Sequence, residues 1–358
     1  MTDRTHIDLV KRAIVQRINV HLPYSHRTPS VGIRRVKANE FKLKNRYETA
    51  SERHTLFSQF MRQYKNPEKW KVEGRRPFHA RFINENSCDA GGPMRDAISN
   101  LCSEIMSDVL PLLRPTGNNL ARMEPSMDCY NLNSRSTQPY MLKKFTFMGY
   151  FLGWSLRNMG GLAIDLPMAL WRRLCNGANN YVYTLEDLKE MDCIRAKLLS
   201  QIKEHASETS TEEFATLYEG YTFETSFGAD DASELVELCP NGAQIALTRS
   251  NAEEFVDLYL KKLTEQDAMQ FERLFLAIQD CVGQRMLSQL TPQLACSRAC
   301  SKAEITPEAF KAAVRMPKAD GSAKIAEWTK WFWEIFKEMN KEDRLLTLKF
   351  MSGNSRIN

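Results

Sequence analysis

Residues 141–158 and 165–176 are apolar on most of their sides, and helices without a polar face must be wrapped by other elements. A buried pair of this kind needs a sizeable globular shell around it. At 358 residues there is room for about two domains. With 43% hydrophobic and 26% charged residues, the composition is that of an ordered globular chain. The greasiest stretch, 145–171, is broken by Arg157 and Asp165, which argues against a membrane span. Residues 1–20 mix Asp3, Arg4, Asp8, Lys11 and Arg12 into their apolar pattern, unlike a secretory leader. Nine irregularly spaced cysteines suit a reducing compartment, so cytoplasm or nucleus is expected.

Charge is unevenly distributed. Residues 1–80 carry 18 Lys/Arg against 7 Asp/Glu, whereas residues 204–248 contain ten acidic groups and no Lys or Arg. Such asymmetry speaks about partners rather than fold. The basic segment has no finger, basic-zipper or RNA-stacking motif, so nucleic-acid binding ranks low among the possible functions. Cys296 and Cys300 stand one helical turn apart, but a zinc site needs two further ligands and no His follows. No metal and no cofactor is expected.

Along the chain, Ile7, Val10, Ile14 and Ile18 suggest an amphipathic helix over 3–19, and residues 1–26 form a basic arm. A polar, irregular stretch over 21–53 precedes a helix over 54–64, and residues 78–83 alternate as a strand does. Gly91-Gly92-Pro93 opens a helix that should bury Ile98, Leu101, Cys102, Ile105 and Val109. Thr184–Leu188 has a capping pattern. Leu235–Leu238 and Ile245–Leu247 read as short strands paired through the Asn241-Gly242 turn. Helical sequence returns at 250–290, 305–315 and 323–350, with Lys318–Gly321 as the hinge candidate. The whole is an α+β reading, predominantly helical.

Seven motifs in this order carry a resemblance. They are RFINENSCDAGGPMR (81–95), PLLRPTGN (111–118), FTFMGYFLGW (145–154), Ile164–Pro167, Thr184–Leu188, Cys239–Leu247 with Asn251–Tyr259, and Trp331–Trp333 with LLTLKFMSGNSR (345–356). Together they resemble the HECT domain of ubiquitin-protein ligases, and the early motifs are similar to its HERC-like branch. The resemblance implies a bilobal fold. A helical N-lobe would span 27–321, with a small conjugating-enzyme-binding subdomain at about 184–263, and residues 322–358 would begin a C-lobe. It also implies that ubiquitin passes from a conjugating enzyme to a C-lobe cysteine and then to a substrate lysine.

That cysteine lies in a Thr-Cys-Phe context some tens of residues after the SGNSR landmark in the family. None of the nine cysteines here, at 88, 102, 129, 175, 193, 239, 281, 296 and 300, has that context, and the sequence reaches Asn358. No catalytic residue is therefore assigned, and the chain is expected to form no thioester by itself. The retained feature is the docking surface that the resemblance places at Ile194, Leu198, Tyr221, Phe255 and Tyr259. Ile194 and Leu198 share one helix face, as do Phe255 and Tyr259. Spacing alone favours ordinary core positions for them, and the resemblance favours docking. Lys197, Gln201 and Glu219 depart from the residue types usual in the family. Two readings remain open: a ligase domain whose catalytic cysteine this sequence lacks, or an inactive binding module that docks a conjugating enzyme.

Overall fold

The computed structural model describes residues 30–34, 55–64, 67–71, 76–85, 91–177, 181–227, 235–300, 306–314 and 323–352. The amphipathic stretch 3–19, the whole basic arm 1–26 and the Lys318–Gly321 hinge lie outside these residues.

The elements run β1 (Ser30–Ile33), α1 (Leu56–Gln63), β2 (His79–Phe82), α2 (Gly92–Ile105), β3 (Leu113–Pro115), α3 (Gly117–Ala121) and β4 (Tyr130–Leu132). Then follow α4 (Pro139–Asn158), α5 (Met168–Asn176), α6 (Leu185–Met191), α7 (Cys193–Glu208), α8 (Thr211–Leu217), β5 (Glu224–Thr225) and β6 (Val236–Glu237). The remainder is helical: α9 (Ala252–Glu265), α10 (Ala268–Val282), α11 (Gln284–Leu287), α12 (Pro292–Ala299), α13 (Pro307–Ala313), α14 (Ala323–Glu338) and α15 (Lys341–Ser352). The fold is α+β and predominantly helical, and among the described residues the strands form short pairs: β1 with β2 in parallel, β3 with β4 and β5 with β6 antiparallel.

Helix α4 is the axis of the main body. Pro139 starts it, and almost every side is buried from Met141 to Leu156. Two glycines let α10 lie directly against it. A Cβ on Gly149 would stand 2.5 Å from the Leu274 carbonyl oxygen, and one on Gly153 would stand 2.7 Å from Cys281 Cβ. On the other side Phe147, Phe151 and Trp154 pack with Phe57 and Trp70, with Trp70 and Phe147 ring centres 5.4 Å apart. The C-terminal carbonyls of α4 would be orphaned in this core. Arg298 donates to those of Leu156 and Arg157, while Ser155 Oγ and the Leu162 amide donate to the Ala299 carbonyl. At the start of α1, the buried Glu104 carboxylate accepts from the Leu56 and Phe57 amides, at 2.9 and 2.8 Å.

A second apolar cluster is built from residues 183–263 with Ala169, and a third from Phe310, Phe336 and Leu348, where the Phe310 and Phe336 rings stack at 4.2 Å. Consecutive arginines of α5 tie the second cluster to the body. Arg172 reaches Asp187 and Glu190 of α6, at 2.5 and 2.8 Å. Arg173, 2% exposed, bonds Asp267 at 2.6 Å and the Thr264 carbonyl at 2.9 Å, and lies 3.9 Å from the Phe271 ring centre.

Three sequence expectations need correction. Helix α5 begins at Met168 rather than 165, because Pro167 is its N-cap. Val109 lies beyond the end of α2, and Leu110 is the buried residue there. The expected hairpin between 235–238 and 245–247 does not form; both segments pair instead with 222–225. The cause is local. Asn241 adopts a left-handed φ of 59°, Gly242 opens a 3-10 turn, and its carbonyl accepts from the Phe223 amide. A Cβ on Gly242 would meet the Phe223 oxygen at 2.4 Å, so the Asn-Gly turn wraps around the intervening strand.

Asp267→Ala should lower unfolding free energy by about 3–5 kcal/mol in urea titrations, because it leaves the Arg173 guanidinium buried and unpaired. The Arg173→Met, Asp267→Leu double variant should recover most of that loss. Gly149→Ala should cost about 1–3 kcal/mol by forcing α4 from α10.

Candidate functional site

The 183–263 subdomain begins with a capping box, in which Thr184 Oγ1 accepts from the Asp187 amide and the Asp187 carboxylate accepts from the Thr184 amide. Helix α7 follows without a loop, its N-terminus capped by Asp192, whose Oδ1 accepts from the Arg195 amide at 3.0 Å. This places Ile194 in the first turn, where it is 59% exposed. Leu198, one turn later, is half-buried against the subdomain core. Helix α9 turns its apolar face inward, so Phe255 and Tyr259 are each 4% exposed. Phe255 packs edge-on to Phe223 at 5.3 Å, and Tyr259 packs against Phe227 at 5.2 Å. Tyr221 is exposed and meets Tyr218 edge-on at 5.6 Å.

The five expected residues thus divide. Leu198, Phe255 and Tyr259 belong to one apolar cluster, with the latter two at core positions; Ile194 and Tyr221 stand exposed at its margin. Sequence reasoning missed Phe223 and Phe227, which cover the α9 aromatics. The alternation of Tyr221, Phe223 and Thr225 was the available signal, hidden because the segment is too short to announce a strand. It also missed Arg195, whose Nη1 lies 3.3 Å from the Tyr259 hydroxyl. Burial raises the Tyr259 phenol pKa, and the Arg195 charge opposes the rise. Exposed acidic residues of the subdomain include Glu212, Glu213, Glu219 and Glu237, and the exposed Arg249 follows two residues after Leu247, whose amide donates to the Tyr221 carbonyl. Between subdomain and body lies a cavity of about 470 Å³, lined by Arg114, Arg135, Asp192, Arg195, Phe227 and Tyr259 among others.

The sequence pattern of the family described as HECT-domain (ubiquitin-transferase) matches residues 99–357. The chain belongs to the HECT family. Among similar curated proteins, mouse E3 ubiquitin-protein ligase HERC2 is 25% identical over 288 residues, covering 80% of this chain and 6% of HERC2. The mouse probable E3 ubiquitin-protein ligase HERC4 is 24% identical over 80% of this chain and 25% of that protein. The Eremothecium gossypii probable E3 ubiquitin-protein ligase HUL4 is 24% identical over 77% of this chain and 32% of that protein. The HECT chain therefore spans only a minor part of the length of these relatives.

Among the described residues of this HECT chain, no group of three His, Cys, Asp or Glu side chains is placed to hold a metal ion, and no helix is long and apolar enough to cross a membrane. Cys88 lies outside the described residues. Cys102, Cys281 and Cys300 are buried. Burial, aided by the Asp165 charge, pushes the Cys129 thiol up to about 12, and burial alone takes Cys175 to about 11. Neither offers a nucleophilic thiolate near neutrality.

A native folded chain at pH 8 should leave Cys129 and Cys175 unalkylated by iodoacetamide, and urea should expose both; mass spectrometry reads the difference. The same shifts make stability depend on alkaline pH. The folded-state values of Cys129, Cys175 and Tyr150 (about 12, about 11 and about 12) lie above the reference values of 9.0 for Cys and 10.0 for Tyr. Their contribution is therefore intact below about pH 9 and is lost as pH rises through the folded values. The urea midpoint should fall steadily from pH 9 to pH 11.

Proposed function

We propose that this HECT chain docks a ubiquitin-conjugating enzyme on the 183–263 subdomain, in the service of ubiquitin transfer to substrate lysines. The observation that carries the reading is the exposure of Ile194 and Tyr221, two large apolar side chains, in the subdomain whose apolar cluster holds Leu198, Phe255 and Tyr259. In this arrangement Phe255 and Tyr259 form the floor of the docking site, and Ile194 and Tyr221 are the side chains a partner can touch. Few interface residues dominate binding energy, and aromatic ones are prominent among them. The acid-only run 204–248 favours a partner with a basic face and makes association sensitive to salt. The relatives named as E3 ubiquitin-protein ligases support the same activity class.

Within these residues the proposed contribution is docking, and the thioester-forming cysteine is assigned to none of the nine. A second reading, a scaffold that holds a charged conjugating enzyme without accepting its ubiquitin, is equally in keeping with the burial of Cys102, Cys281 and Cys300. A reducible ubiquitin adduct on the 358-residue chain would contradict that second reading.

Phe255→Ala is a poor test of docking, because truncating a buried Phe costs about 3–5 kcal/mol of stability. The exposed positions discriminate better. Ile194→Ala and Tyr221→Ala should each weaken conjugating-enzyme binding by about 1 kcal/mol or more in titration calorimetry, with melting temperatures unchanged. Raising salt from about 50 to 300 mM should weaken it further. Unchanged affinity in both variants refutes the docking surface.

A further inference from the structure

The segment leaving β5 crosses from the subdomain toward the body, and two arginines from opposite sides hold its backbone. Arg114 of β3, on the body, donates from Nη2 to the Phe227 carbonyl at 2.5 Å. Arg195 of α7, on the subdomain, donates to the neighbouring Ser226 carbonyl and lies near the Ser226 hydroxyl. Held in this way, Phe227 sets its ring against Tyr259, with centres 5.2 Å apart and planes at 51°. Yet Phe227 is only half-buried, outside the fully buried set of the subdomain core. It also borders the cavity of about 470 Å³, which it shares with Arg114, Arg195 and Tyr259. An aromatic ring that packs on one face and borders open volume on another has somewhere to go by side-chain rotation.

From these contacts we infer that Phe227 is a built-in competitor for the Tyr259 face: an aromatic plug, clamped by Arg114 and Arg195, that an apolar side chain of the docking partner must displace. The inference rests on the docking reading proposed above and adds an element that tunes its affinity. Tyr259 is one of the residues assigned to the docking floor, and the ring covering it comes from the chain itself. The clamp draws one arginine from the body and one from the subdomain, so displacement of Phe227 disturbs a contact between the two. Docking is thereby coupled to that junction. An aromatic pair of this kind corresponds to an affinity penalty of about two- to tenfold.

Two readouts test it on the 358-residue chain, with purified ubiquitin-conjugating enzymes titrated one at a time. In the first, Phe227→Ala should tighten the best-binding conjugating enzyme by about two- to tenfold. Arg114→Gln, which loosens the clamp but keeps the ring, should tighten it less. In the second, without partner, 3-fluorotyrosine at position 259 should show a shifted fluorine resonance in Phe227→Ala and a phenol pKa moved toward that of a solvated tyrosine. Unchanged or weaker binding by Phe227→Ala overturns the plug. So does an unmoved resonance. If Ile194→Ala still weakens binding in that case, the docking surface stands without the plug. If Ile194→Ala and Tyr221→Ala both bind as the parent does, the docking reading fails and the plug's regulatory role goes with it.

Discussion

The buried pair of Arg173 and Asp267 sets how the two principal parts of this molecule meet. Both side chains are 2% exposed, and an ion pair so far from water is tolerated only when its hydrogen bonds are supplied by the fold. Here the Thr264 carbonyl supplies another acceptor, and the Phe271 ring covers the guanidinium. These partners come from the junction of α9 and α10, whereas Arg173 comes from α5. Burial raises the Asp267 pKa and the Arg173 charge works against that rise, so the ionised carboxylate depends on the arginine staying beside it. Arg172, the preceding residue, fixes α6 through Asp187 and Glu190. Two consecutive arginines on one short helix thus orient the whole 183–263 subdomain.

This orientation gives the apolar residues their roles. Because α6 runs into α7 through the shared residue Asp192, Ile194 emerges at an exposed first turn. Because α9 must pack its apolar face on the strand segment 221–225, Phe255 and Tyr259 turn inward. The Asn241-Gly242 turn closes that segment from its other side. Ile194 and Tyr221 thus stand exposed in the same subdomain that buries Phe255 and Tyr259.

Much of this was legible in the residues. The uniformly apolar stretch 141–158 announced the central helix, and the Thr184 and Asp187 spacing announced a capping box that forms as expected. The ordered motifs announced the HECT family, which the match over 99–357 bears out. What remained illegible depends on long-range contacts. Nothing local shows that Gly149 and Gly153 exist to admit α10. The Asn-Gly pair signals a reversal correctly, but not that its flanks pair with a third segment instead of each other. Helical spacing put Phe255 and Tyr259 on one face and favoured core positions for them, without showing that Phe223 and Phe227 are what they pack against. Val109 shows the same limit at a helix end, where periodicity continued past the last hydrogen-bonded turn.

We propose that the docking face of this chain is the exposed margin of the 183–263 subdomain. Site-specific photo-crosslinking tests it most directly, with benzoylphenylalanine placed singly at positions 194, 221 and 276. Leu276 is a comparably exposed apolar residue on α10 of the body, and serves as the control. With a ubiquitin-charged conjugating enzyme, the account predicts adducts from 194 and 221 and none from 276. Adducts from 276 alone, or from none of the three, would contradict it.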